Sequence, residues 1–132
     1  MTPLQNLYYA LGELAYAMAK ADGQVQSKEK DKLHYILQTE FGKSNSDIDT
    51  TEIIFNVLQK DAVPAEVAYE RAIIQFQLCS HYISDQLKQQ ILNTLHSLAV
   101  AFPPLDIEEH KMLLKTFEEL KKIKGDPTFT NN

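Results

Sequence analysis

Residues Leu14 to Leu33 read LAYAMAKADGQVQSKEKDKL, and this stretch decides the fold. It is an alanine-rich run, then Ala21-Asp22-Gly23, then the apolar Val25, then a charged run that returns to an apolar residue at Leu33. Gly23 supplies the positive φ that stops a helix, and Ser27 is a good N-cap for the next one. Working back towards the start, Leu4, Leu7, Tyr8, Leu11, Leu14 or Ala15, and Met18 step by three and four. That spacing predicts an amphipathic helix over about residues 3–22. Working forward, Leu33, Ile36, Leu37 and Phe41 make the apolar stripe of a second helix, and Gly42 to Ser46 is a loop.

The same period runs through the rest of the chain. A third helix is expected from about Ser46 or Asp47, burying Ile48, Ile54, Phe55 and Leu58. Pro64 suits the first turn of a fourth helix. Val67, Ala72, Ile73, Ile74, Phe76, Leu78, Cys79, Tyr82 and Ile83 make that helix apolar around most of its girth, which predicts a place in the middle of a bundle. Ser84 caps a fifth helix with Leu87, Ile91, Leu95, Leu98 and Phe102 inward, and Pro103-Pro104 ends it because proline has no N–H to donate. Asp106 and Glu109 form a capping-box-like start to a sixth, with Ile107, Leu113, Leu114, Phe117 and Leu120 on its core face. Lys121, Lys122 and Lys124 suit its C-terminal dipole. No alternating strand pattern is present. The expectation is an all-α, single-domain bundle of about six helices over residues 3–124, with 125–132 a mobile C-terminal tail. A step of 80 residues pairs Glu29 with Glu109 and Leu33 with Leu113, a weak internal two-fold pseudo-repeat.

Composition narrows the function. The 132 residues are 44% hydrophobic and 23% charged, an ordinary globular balance for one domain. A net charge of −5 offers no basic excess to neutralise a phosphate backbone, so nucleic acid is not an expected partner. The single cysteine, Cys79, excludes an internal disulfide and a Cys-rich zinc site, and an unpaired thiol fits a reduced, cytoplasmic compartment. The start of the chain lacks the charged n-region of a signal peptide, and Glu13 interrupts the apolar stretch after it. The apolar region from Ala68 to Ile83 holds Glu70, Arg71, Gln75, Gln77 and His81, too polar for membrane insertion.

Ala21, Asp22, Gly23, Val25, Glu29 and Leu33 stand at the spacings of a known signature, in which a Glu follows the Gly by six residues. The chain resembles the TerB-like family, the domain of tellurite-resistance proteins that also occurs beside a J domain in a membrane-anchored co-chaperone. The resemblance implies an all-helical, roughly two-fold pseudo-symmetric bundle and a non-enzymatic stress-response module. It also implies that acidic residues of the turns bind a divalent cation, and carboxylate oxygens suit a hard one such as Ca²⁺ or Mg²⁺. Its carry-over reaches Asp22 and Glu29. In the second half Phe102 and Pro103 stand where an Asp-Gly would fall, so Asp106 and Glu109 make a weaker second pair.

A tight turn can bring Asp22, at the end of one helix, towards Glu29, in the first turn of the next, and hard cations prefer such oxygen ligands. The loop lacks the repeated acids of an EF-hand, so a cation there would be weakly held and largely hydrated. The alternative is purely local: Asp22 accepts amide hydrogens in the turn and Glu29 complements the helix dipole. Elsewhere the pattern favours structural roles. Asp106 and His110, at i and i+4, are spaced to point at one metal, but His110 falls on the inward stripe with Ile107 and Phe117. Cys79 and His81 point about 200° apart on a helix, which excludes a nucleophile–base pair, and Cys79 reads as a buried small hydrophobe. His34 and His96 flank apolar faces without an implied partner, and Asp47, Asp49 and Glu52 read as capping and solvated charge. Tyr8 keeps the core period while Tyr9 leaves it and is the candidate contact residue. No phosphate loop or nucleophile elbow is present. Three functions compete: a non-enzymatic module acting on a protein partner with a cation at Asp22 and Glu29, a metal-free scaffold that forms a homo-oligomer through an apolar helix face, and, last, a metallo-hydrolase built on Asp106, Glu109 and His110.

Overall fold

The computed structural model describes residues 2–21, 25, 27–42, 45–102 and 107–122, and for 107–110, 112 and 113 the backbone alone. The described residues form six α-helices and no strand: α1 (Pro3–Lys20), α2 (Ser27–Phe41), α3 (Ile48–Lys60), α4 (Ala65–Leu78), α5 (Asp85–Ala101) and α6 (Ile107–Lys122), with a short 3₁₀ turn at Ser80–Tyr82. The tail expected at 125–132 lies outside the described residues.

Local chemistry sets the helix ends. Thr2 and Gln5 exchange hydrogen bonds at the start of α1: the Thr2 hydroxyl accepts from the Gln5 amide at 3.1 Å and the Gln5 side chain accepts from the Thr2 amide at 2.9 Å. Pro3 fills the first helical position, where its missing N–H costs nothing. Ser84 caps α5 as its sequence predicts, accepting from the Leu87 amide at 3.1 Å. The end of α3 is a Schellman turn in which the Val63 amide donates to the Leu58 carbonyl and the Ala62 amide to that of Gln59. Ala62 takes the left-handed position there, with φ of 51°.

The middle of the bundle is α1 and not α4. Every residue of α1 from Ala10 to Ala19 is buried, and the helix packs chiefly on α3 and α4, with α5 against it as well. Small residues let its neighbours approach: a Cβ placed on Gly12 would lie 2.6 Å from the Thr51 carbonyl oxygen of α3. Two hydrogen bonds fix this seam, from the Thr51 hydroxyl to the Tyr8 carbonyl and from the Tyr16 hydroxyl to the Val63 carbonyl, each 2.7 Å. On α4 only Ala68, Ala72 and Phe76 are buried, while Ile74 and Leu78 face solvent at 55% and 71% exposure. Counting apolar residues around α4 suggested the centre; their angular placement puts the helix at the edge.

The remaining helices close the core. Leu87, Ile91, Leu95, Leu98 and Phe102 point inward from α5 as their spacing predicts, and Leu33 and Leu37 do so from α2. α2 lies on α5 and α3, and α6 lies on α5 and α4. Ser27 and Ile107, which open α2 and α6, are 80 residues apart, and α1 and α5 start within two residues of the same step. The pseudo-repeat therefore holds for the helix order, whereas the packing is unequal, since α6 takes α4 and α5 as its main neighbours rather than α1.

Candidate functional site at the turn between α1 and α2

The turn is built by two helix ends. α1 closes at Ala21, whose amide donates to the Ala17 carbonyl at 3.1 Å. On the far side Val25 packs against the core, and its carbonyl accepts from the Gln59 side chain of α3 at 3.5 Å. α2 then begins at Ser27 and carries Glu29 in its first turn. Glu29 is 6% exposed, a degree of burial that a solvated dipole-complementing acid would not need. Leu33 and Leu37 continue the buried face one and two turns on. The first turn of a helix offers unpaired amides and the positive end of the dipole, which stabilise a carboxylate placed there. Asp22 and Gly23 lie outside the described residues, as do Asp106 and the side chains of Glu109 and His110. Among the described residues no three His, Cys, Asp or Glu side chains gather as a metal-binding group.

Other residues singled out from the sequence fall into structural places. Cys79 is buried, its thiol pKa pushed up by burial against the opposing pull of its Gln75 hydrogen bond, while His81 is exposed in the 3₁₀ turn. His34 has a partner that its sequence context did not show: its Nδ1 pairs with the Glu52 carboxylate of α3. His96 stacks at 4.6 Å on Phe117, joining α5 to α6. Asp47 stands at the N-cap of α3 without making a side-chain cap bond. Tyr8 is in the core with its hydroxyl accepting from Asn45 at 3.0 Å, and Tyr9 is half-buried.

Sequence reasoning overlooked Glu13, noting it only as a break in an apolar run. It is 4% exposed on α1, and burial pushes its carboxyl pKa up to about 7, with the charge of Arg71 on α4 pulling the other way. The signal was available: between Leu7 and Ala19, a run apolar on every side, Glu13 is the sole ionised group at neutral pH in the reading of ordinary carboxylates. A further feature is a groove of about 590 Å³ between α2 and α5, floored by Ile36 and Ala101 and flanked by the exposed Tyr35 and Val100.

No helix among the described residues is long and apolar enough to cross a membrane. No curated protein and no solved structure matches the chain. The model of the family described as Tellurite resistance protein TerB matches residues 9–124, most of the chain, and the match runs from within α1 to beyond the end of α6. The chain belongs to the TerB family.

Proposed function

We propose that this chain is a non-enzymatic, cytoplasmic TerB module that works through contact with another protein, and that its α1–α2 turn holds a divalent cation, Ca²⁺ or Mg²⁺, weakly between Asp22 and Glu29. The observation that carries the reading is Glu29, a carboxylate buried in the first turn of α2 on the far side of the Ala-Asp-Gly turn. A hard cation held with that carboxylate would take oxygen ligands and keep part of its water. Contact with a partner is supported by the apolar groove between α2 and α5, where Tyr35 and Val100 are 72% and 83% exposed.

Thermal unfolding of chelator-treated protein, repeated with millimolar Ca²⁺, Mg²⁺, Mn²⁺ or Zn²⁺, tests the cation. A ligand at ~100 times its dissociation constant, binding the native state alone, adds about 2.7 kcal/mol and raises the melting temperature by several degrees. The expected result is a rise specific to Ca²⁺ or Mg²⁺ that Asp22→Asn and Glu29→Gln both abolish. An equal response in the variants, or none in the wild type, would leave a metal-free scaffold.

A further inference from the structure

We infer that Glu13 is a proton-operated latch on the α1–α4 contact: neutral, it lets α4 sit firmly on α1, and ionised, it loosens that helix. The geometry comes first. α1 and α4 share one of the two most extensive interfaces of the bundle, and Glu13 is buried in α1 with Arg71 on α4 as the charge that acts on it.

Among the described residues, the buried faces of the other helices packed on α1 carry no ionisable side chain. α3 turns Thr51, Phe55 and Leu58 inward, and α5 turns Leu87, Leu95 and Leu98 inward, none of them ionisable. The inward face of α4 itself is Ala68, Ala72 and Phe76. On α1 the next charged residue is Lys20, two turns further along, and Arg71 is the charge that acts on the Glu13 carboxyl. Arg71 is exposed, so water screens much of its attraction for a buried carboxylate. Ionising Glu13 therefore desolvates a charge with one partial compensator, and the relief open to the protein is to move α4 outward and admit water.

α4 is suited to such movement. It buries three residues, against twelve on α1, and Val67, Ile74 and Leu78 face solvent. The direction in pH follows from the raised carboxyl, displaced from 4.5 to about 7. Below 4.5 both folded and unfolded chains carry the proton; between 4.5 and 7 the folded chain binds it more tightly, so the proton's contribution to stability falls as pH rises through that window and is gone above it.

The test is the unfolding equilibrium of the full chain between about pH 5 and about pH 8, for wild type, Glu13→Gln and Arg71→Gln, alongside amide hydrogen exchange corrected for its intrinsic pH dependence. The wild-type folding constant is expected to fall roughly 70-fold more than that of Glu13→Gln across this range. Arg71→Gln is expected to move the transition upward in pH. Amides of α4 should lose protection at high pH in the wild type before those of α3, and keep it in Glu13→Gln. The ¹³C titration of the Glu13 carboxyl in the wild type gives a readout that does not need the variants to fold, with an expected midpoint near neutrality. A midpoint in the ordinary carboxylate range, parallel pH profiles for wild type and Glu13→Gln, or loss of protection spread evenly over α3 and α4 would each overturn the latch.

Discussion

Gly12 is where one hydrogen atom in place of a methyl group decides how near two helices come. The Thr51 backbone oxygen occupies the space a side chain would need, and backbone cannot swing aside as a lysine tip can. Gly12→Ala is expected to destabilise the fold by about 1–3 kcal/mol, despite the better helix propensity of alanine, because α3 must slide off its seat. Urea unfolding of the variant checks this, and a stabilised Gly12→Ala would show that α1 and α3 are farther apart than described. Ala62 is the reverse case. It holds a left-handed conformation that glycine adopts without steric cost, so Ala62→Gly is expected to raise stability by about 0.5–1 kcal/mol in the same measurement. Neither residue stands out in the sequence. A helical glycine looks like a weak point until its neighbour is known, and an alanine after Lys60-Asp61 carries no sign of a left-handed turn.

The elements were legible where their causes are local. Ser84 starts a helix and Gly42 follows the end of another, because caps and positive φ act within one turn of chain. The place of a helix in the bundle is not local. α4 carries more large apolar residues than a surface helix needs, yet Ala68, Ala72 and Phe76 are the ones that meet α1. α1 reaches the centre because alanines and a glycine let helices close on several of its sides. Substitution separates the two faces of α4. Phe76→Ala is expected to cost about 3–5 kcal/mol, the figure for a buried phenylalanine. Ile74→Lys and Leu78→Lys, on exposed sites, should each stay within about 0.5 kcal/mol of wild type in a thermal or urea melt. A large loss from either lysine would put the outer face of α4 under cover.

At the scale of the whole molecule, family membership and helix order agree, and two buried acids stand out, Glu13 on the central helix and Glu29 at the start of the next. The Ala21-Asp22-Gly23 and Glu29 spacing was readable because a turn signature is contiguous in sequence. The burial of Glu29 was not, since it depends on which helices flank the start of α2. Glu13 was missed for the same reason: its environment is assembled from α1 and α4, more than fifty residues apart at Arg71. In the proposed reading Glu13 answers to protons and Glu29 to a cation. The most direct test of the central claim is the ¹H–¹⁵N spectrum of chelator-treated protein titrated with Ca²⁺ and with Mg²⁺. Saturable shifts confined to the amides of residues 21–29, absent in Asp22→Asn, are the predicted result. Spectra unchanged at millimolar cation, or shifts scattered over the acidic surface without saturation, would contradict a cation site at this turn.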